Sequence, residues 1–188
     1  MRDLSLHIMD IVQNSISAEA TCIKVSIIAD DETGKLSVEI EDNGKGMDKD
    51  FAQRVTSPFV TTRSTRRVGL GIPLLQASAE RAGGYLTIHS EPGSGTILRA
   101  VFQINHIDRL PLGDISETMT ALIIANPDVH YMLYIKSNKT CFEFSTAEVK
   151  EKLGEVPITG YEVVAWIKDF IDDGIKNTFG GVLNEVFS

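Results

Sequence analysis

The residues that best suit a binding site come directly after an alternating, strand-like segment. They are Asp42-Asn43-Gly44-Lys45-Gly46, so a carboxylate stands at the end of a strand and two glycines follow it. Glycines allow a backbone to approach a flat ligand closely, and the carboxylate can accept a hydrogen bond from an amino group such as that of adenine. Guanine has a carbonyl at that place and would be rejected. An isolated motif of this kind is more often an ordinary glycine turn with Asx capping.

Four polar residues share one side of a predicted N-terminal helix. At 100° per residue they fall within an arc of roughly 80°, with apolar residues on another side; they are His7, Asp10, Asn14 and Ser17. This stripe places a carboxylate and a carboxamide one turn apart. The stripe alone is typical of a solvated helix face, so its interpretation depends on the rest of the chain.

A third candidate is the triplet Gly69-Leu70-Gly71, which precedes a predicted helix. Unencumbered amides and the positive end of that helix can face an anion. The sequence has no third glycine at dinucleotide-fold spacing and no GxxxxGK[ST] motif, which excludes the Rossmann and P-loop phosphate sites. Three nearby arginines suit phosphate neutralisation or a solvated loop equally well: Arg63, Arg66 and Arg67.

Hydrophobic periodicity predicts the elements that must position these residues. Apolar residues at three- and four-residue intervals predict a first helix over residues 4–20, and a second helix is predicted from residue 72 to the Gly83-Gly84 pair. Alternation predicts two hairpins, over residues 23–27 with 36–40 and residues 85–90 with 96–102. Residues 42–71 show little periodicity, and we interpret them as a loop that acts as a lid.

The pattern changes after residue 104, and we predict two domains, residues 1–104 and residues 105–188. The second is predicted to be a small α/β module with a hairpin over residues 129–136 and 140–145. Helix starts are indicated by capping-box spacing at Asp114 with Glu117, Ser145 with Glu148, and Thr159 with Glu162. One apolar face is more typical of core packing than of a partner site; it consists of Trp166, Ile167, Phe170 and Ile171.

Taken together and in this order, the motifs resemble the GHKL superfamily of gyrase, chaperone, histidine-kinase and mismatch-repair ATPases. Residues 10–14 resemble its N box, 42–46 its G1 box, 58–62 its F-box region, 69–71 its G2 box and 93–96 its last glycine box. Each box is weak alone, but their joint order is a strong signal that covers about residues 1–104. The resemblance implies the Bergerat fold, a two-layer α/β sandwich of the α+β class.

The resemblance also implies ATP and Mg²⁺ as ligands. Asn14 would coordinate Mg²⁺ and Asp42 would bind the adenine amino group. The ATP-binding set it implies is Asn14, Asp42, Gly44, Gly46, Met47, Phe59, Thr61, Thr62, Gly69, Leu70, Gly71 and Thr96. Asp10 occupies the place where hydrolytic members and serine-directed kinases have a general-base Glu, and its shorter side chain calls for an intervening water.

Two features of the sequence depart from the histidine-kinase pattern and argue against histidine phosphorylation. Ser17 stands where many of these kinases carry a Lys, and only thirteen residues precede Asn14, so we expect no phosphoacceptor-histidine hairpin. His7 lies on the nucleotide helix itself, so we interpret it as a structural residue.

Composition restricts the remaining classes. The chain carries a net charge of −8, with most of the acidic excess after residue 104, which disfavours nucleic-acid binding. Its longest apolar stretches are too short for a membrane span, so we expect a cytoplasmic protein, and two distant cysteines disfavour a disulfide framework or a zinc site. We expect a regulatory ATPase or kinase that transfers phosphoryl to a protein partner or to water. The alternative is a non-catalytic ATP-dependent switch; oligomeric state stays open.

Overall fold

A six-stranded mixed sheet organises the computed structural model, which describes residues 2–55, 70–180 and 182–183. The strand order is β3-β4-β2-β1-β5-β6, and every neighbouring pair is antiparallel except β1 with β5. The strands are β1 Cys22–Asp30, β2 Lys35–Asp42, β3 Tyr85–Glu91, β4 Gly95–Gln103, β5 His130–Lys136 and β6 Cys141–Ser145. The three predicted hairpins are therefore confirmed.

Helices form the second layer. They are α1 Leu4–Ser17, α2 Lys49–Val55, α3 Gly71–Arg81, α4 Ile115–Ala125, α5 Thr146–Leu153 and α6 Tyr161–Phe179. Helix α1 packs on β1 and β2, α3 on β3 and β4, and α6 on β5 and β6, while α4 contacts both α1 and α6. Alternate residues of β1 and β2 point into the interface between layers and are buried, which is the alternation that predicted these strands. The α+β class is confirmed.

The start of α1 is held by a distant part of the chain. Asp3 caps the helix by accepting from the Leu6 N–H (3.0 Å), while the Leu4 and Ser5 N–H groups donate to the carbonyls of Pro111 and Leu112 (2.9 Å each). These bonds satisfy amides that a helix leaves without internal partners. Residues 111–112 therefore fix the position of the helix that carries Asp10 and Asn14.

The end of α1 differs from the prediction. The helix stops at Ser17, before the predicted end at residue 20, and Glu19 follows with a positive φ of 61°. A left-handed residue ends the helix, and the Ala18 carbonyl is then free to accept from the Lys45 N–H (2.9 Å). The early stop thus brings residues 42–46 against the helix terminus.

Two other expectations need correction. Residues 49–55 form α2 inside the segment predicted as a loop, because Asp48 caps a helix start by accepting from the Phe51 N–H (2.7 Å). Of the three capping boxes, only Asp114 accepts from its partner's backbone, at 2.7 Å from the Glu117 nitrogen. Ser145 caps α5 without a side-chain hydrogen bond, and the N-cap of α6 is Gly160.

The segment after residue 104 continues the same sheet. Strand β5 pairs in parallel with β1 along the whole register from Cys22 opposite His130 to Ile28 opposite Lys136. The division of the chain at residue 104 stays a prediction. Within the described residues, no helix is both long enough and apolar enough to cross a membrane.

The β1–β2 turn and the β5–β6 turn are joined by a hydrogen bond from Asn138 to Asp30, which gives a prediction about pH. Hydrogen bonds from Asn138 and then Thr33 lower the pKa of Asp30 to about 2. Asn138→Ala should therefore raise the Asp30 pKa toward its ordinary value of 3.8. Because the folded pKa is lower than the unfolded one, the carboxylate stabilises the fold above about pH 4, and this contribution disappears as the pH falls through about 2. An NMR titration of the Asp30 carboxyl carbon measures the shift.

Lys139→Ala, a change at the neighbouring exposed turn residue, is the control and should leave the Asp30 titration unchanged. An Asp30 pKa that stays near 2 in Asn138→Ala would contradict the assigned cause.

Candidate functional site

A pocket of about 430 Å³ lies between α1, α2 and the adjacent ends of β2 and β4. Its volume is within the usual range for small-molecule sites. Its walls are mainly apolar, from Ile11, Ile40, Met47, Phe51, Val55, Ile72 and Leu98, and its polar groups include Asn14, Ser15, Asp42 and Thr96. A few polar groups in an apolar cleft are typical of a site that orients a flat organic ligand.

Asp42 is the buried charge of this pocket. Its exposed fraction is 8%, and it lies opposite Thr96 in the β2–β4 register. Its Oδ2 accepts from the Ser15 hydroxyl at 2.6 Å, and its Oδ1 accepts from the Gly44 N–H at 2.9 Å. A carboxylate has about four acceptor positions, so these two bonds fix its orientation and leave acceptor capacity for a donor in the pocket.

Sequence reasoning missed Ser15. The residue lies about 100° around α1 from Asn14, outside the polar stripe, and no local pattern distinguishes it from a buried small residue. A serine inside a helix usually donates to the carbonyl four residues earlier, here that of Ile11. The Ser15 hydroxyl is 3.4 Å from that carbonyl but only 2.6 Å from Asp42. The single proton therefore goes to Asp42, and Ser15 connects α1 to β2.

Ser90 is a second residue that the sequence did not reveal. Its oxygen accepts from the Met47 N–H (2.8 Å), and its hydroxyl donates to the Gly95 carbonyl (2.9 Å). The Thr96 hydroxyl lies 2.9 Å from the same oxygen. Since Ser90 has one proton, Thr96 must be the donor in that pair, which leaves the Thr96 oxygen as an acceptor.

The glycines after Asp42 make room for other parts of the protein backbone, whereas the sequence predicted that they make room for a flat ligand. Gly46 has a φ of +65°, and a Cβ there would overlap the Glu91 carbonyl. A Cβ on Gly44 would approach the Ala18 carbonyl to 2.8 Å. The two glycines therefore let residues 42–46 fit between the end of α1 and the β3–β4 turn, and this close packing shapes the pocket floor.

Asp10 and His7 lie beside the start of α3. A Cβ on Gly71 would overlap Asp10 Oδ2, so the absence of a side chain there makes room for the carboxylate. His7, one turn earlier, is 1% exposed and hydrogen-bonds the Gly71 backbone. Burial lowers the pKa of His7, and its Nδ1 has no hydrogen-bond partner in the part of the chain that the structure describes. His7 therefore joins α1 to α3 as a neutral imidazole near pH 7.

The predicted site residues separate into four groups. Those in the pocket wall are Asn14, Asp42, Gly46, Met47 and Thr96. Gly44 contacts Asp42 from behind, and Asp10, Leu70 and Gly71 lie at the junction of α1 with α3, where Leu70 is exposed as the N-cap of α3. The predictions for Phe59, Thr61, Thr62 and Gly69, and for the three arginines, fall outside the described residues.

Comparison with known proteins decides the family. The family model of histidine kinase-, DNA gyrase B-, and HSP90-like ATPases matches residues 2–106. The chain belongs to this family. The GHKL resemblance is therefore confirmed, and its extent coincides with the four strands and the helices that surround the pocket.

Individual proteins are also similar to the chain. Sensor kinase CckA of Brucella abortus is 25% identical over 150 residues, which covers 67% of this chain and 16% of that protein. Sensor histidine kinase ZraS of Klebsiella oxytoca is 31% identical over 72 residues, covering 38% of this chain and 15% of that protein. This chain therefore matches only about a sixth of the length of these curated relatives.

A solved structure is also similar. The ATPase domain of Aquifex aeolicus MutL complexed with ADP aligns with a TM-score of 0.46 and 14% identity, covering 81% of this chain and 68% of that one.

The Ser15–Asp42 bond gives a prediction about stability. Ser15→Ala should lower the free energy of unfolding by about 1.5–3 kcal/mol, because the buried carboxylate would lose a charge-assisted hydrogen bond. Ser17→Ala is the matched control, since Ser17 is exposed and, among the described residues, its hydroxyl bonds only the Gln13 carbonyl of its own helix. Urea unfolding measures both. Equal losses in the two variants would show that the bond to Asp42 contributes nothing.

Proposed function

We propose that the chain binds ATP with Mg²⁺ in the pocket beside Asp42 and works as a kinase-like regulatory protein. In this proposal the γ-phosphoryl group passes to a protein partner or to water. Family membership supports a nucleotide ligand, and one observation carries the assignment to this pocket: a buried carboxylate that is already oriented by two donors and still has acceptor capacity.

The chemistry around Asp42 suits adenine. An exocyclic amino group is a donor that matches the remaining acceptor positions of the carboxylate, whereas the carbonyl of guanine would repel it. The acceptor oxygen of Thr96 lies on the next strand, opposite Asp42 in the register. Apolar side chains of Ile40, Met47 and Leu98 supply flat, dry walls for an aromatic ring.

Asn14 fits a magnesium ion that arrives with the nucleotide. Within the described residues, no group of three or more His, Cys, Asp and Glu side chains could hold a metal ion. Magnesium in phosphate-binding enzymes usually takes one or two protein oxygens and completes its octahedron with phosphates and water. The carboxamide oxygen of Asn14, in the pocket wall, is such a ligand. When bound, the ion would neutralise phosphate charge.

Asp10 is the proposed general base. It lies one turn before Asn14 on α1 and is half-buried at the contact with Gly71, so a protein-derived hydroxyl or a water near that junction could give it a proton. The carboxylate is outside the wall of the described pocket, which agrees with a role toward phosphate rather than toward the base. His7 and Gly71 would keep α3 at the distance that Asp10 requires.

The alternative is a switch without catalysis, in which ATP changes the position of α2 and with it a surface for a partner. One observation favours it: Phe51 and Val55 of α2 both line the pocket, so a ligand would contact α2 directly. The position of α2 would then depend on whether nucleotide is bound.

Asp42→Asn tests the pocket assignment. The amide must turn a donor toward the adenine amino group or give up its bonds to Ser15 and Gly44, so ATP affinity should fall about 10- to 150-fold, corresponding to roughly 1.5–3 kcal/mol. Calorimetry measures the affinity. Glu41→Gln, at the exposed neighbouring residue, is the control and should bind as the parent does. A folded Asp42→Asn protein with undiminished ATP affinity would remove the assignment.

Asp10→Asn separates turnover from switching. It preserves size and helix position but removes the capacity to accept a proton, so ADP release or transfer should fall by about 10²- to 10⁴-fold while ATP affinity changes little. Gly71→Ala should also lower turnover, because its methyl group would displace the Asp10 carboxylate.

Assays with γ-labelled ATP, with and without candidate partners, read labelled protein and ADP separately. Turnover that survives Asp10→Asn would exclude the general-base role. Background turnover in the parent, together with protection of α2 from proteolysis by ATP, would establish the switch instead.

A further inference from the structure

The aromatic residues of α6 are exposed where core packing was predicted. Of the four residues on the predicted apolar face, Ile167 and Ile171 are fully buried, but Trp166 is 51% exposed and Phe170 is 40% exposed. The two sets lie on adjacent sides of the helix, about 100° apart, which residue spacing alone does not separate. The expectation of a single core face was therefore wrong for Trp166 and Phe170.

The exposed rings form a fixed stack. Trp166 and Phe170 stack with centroids 5.1 Å apart and planes 12° apart, and Phe170 contacts Phe142 of β6 at 5.1 Å and 57°. Phe142 is held in turn by Gly174, since a Cβ at that position would overlap its ring. Rings held by packing lose little conformational entropy when a partner covers them, which is a property of binding anchors.

A row of carboxylates runs beside this stack. Glu162, Asp169 and Asp173 are exposed and fall within an arc of about 40° on α6, next to the arc of Trp166 and Phe170. None of the three takes part in a salt bridge within the described residues. We call these six residues the Trp166 face: Phe142, Glu162, Trp166, Asp169, Phe170 and Asp173.

We propose that the Trp166 face docks a basic amphipathic helix of a partner protein. The acidic residues extend over residues 162–173, which is three turns or about 17 Å of helix, and Trp166 and Phe170 lie beside the middle turn. A helix with apolar residues on one side and Lys or Arg beside them would cover the rings and neutralise the carboxylates. The same carboxylates repel phosphate backbones and anionic lipid surfaces, so neither nucleic acid nor a membrane matches this charge pattern.

This inference is independent of the proposed nucleotide chemistry. The Trp166 face lies at the β6 edge of the sheet, and strands β1 and β5 separate that edge from the pocket at β2 and β4. Binding to the face can therefore be measured without nucleotide, and its outcome does not depend on the result of any ATP experiment.

Trp166 reports on its own site, because it is the only tryptophan in the sequence. The probe is a synthetic, amidated helical peptide of leucine and lysine, with leucines at helical spacing, and its counterpart carries glutamate in place of lysine. The lysine peptide should shift Trp166 emission to the blue in a saturable manner, and the glutamate peptide should not bind. Phe170→Ala should weaken binding about tenfold or more, and the double change Asp169→Asn with Asp173→Asn about three- to tenfold.

Matched controls lie elsewhere on the surface. Leu74→Ala removes an exposed apolar residue of α3, and Glu148→Gln with Glu151→Gln removes two exposed charges of α5. Both should bind the lysine peptide as the parent does, and circular dichroism verifies that every variant is folded.

Three results would overturn the proposal. Equal binding of the glutamate peptide would show that charge has no part in recognition. Binding unchanged by Phe170→Ala and by the Asp169/Asp173 double variant would place the peptide elsewhere. Self-association in sedimentation that Phe170→Ala abolishes, without any peptide binding, would make a second copy of the chain the occupant.

Discussion

The bond between Ser15 and Asp42 is the contact on which the site depends. It joins the helical layer to the sheet where β2 ends, and it is made by a carboxylate that would be costly to bury without donors. Because Ser15 follows Asn14 directly, the same contact restrains the position of Asn14 in the pocket wall. The Gly44 amide completes the support from the loop, so one side chain is fixed by two parts of the chain.

Helix α1 is consequently restrained at both ends. Its first amides bond the carbonyls of residues 111–112, Ser15 in its last turn bonds Asp42, and the carbonyl of Ala18, just after its end, accepts from the Lys45 N–H in the loop after β2. A positive φ at Gly113 and the absence of a side chain there allow that distant segment to approach Asp3 and Ser5. The residues after position 104 therefore support the helix that carries Asp10 and Asn14, even though the family match ends at residue 106.

Periodicity and motif order predicted the features that are local in sequence. The hairpins and the start of α1 follow from hydrophobic periodicity, Asp42 from its place between a strand and two glycines, and Thr96 from the family resemblance. Ser15 and Ser90 were missed because their importance arises only when a helix end or a neighbouring strand comes within hydrogen-bond reach. The parallel pairing of β1 with β5 depends on residues more than a hundred positions apart, and adjacent sides of α6 differ in burial through packing alone.

The parallel pairing of β5 with β1 also fixes the order in which the chain can be completed during synthesis. Strand β1 leaves the ribosome early, but its partner on one side is not available until residue 136 has been made, and the acceptors for the first amides of α1 are made only at residues 111–112. Until then an apolar strand edge is open, which is a hazard for association with other chains. Contacts of such long sequence separation also form slowly. Nascent chains should therefore complete the contacts of α1 only after residue 112 has been made, although α1 is the first element to be translated.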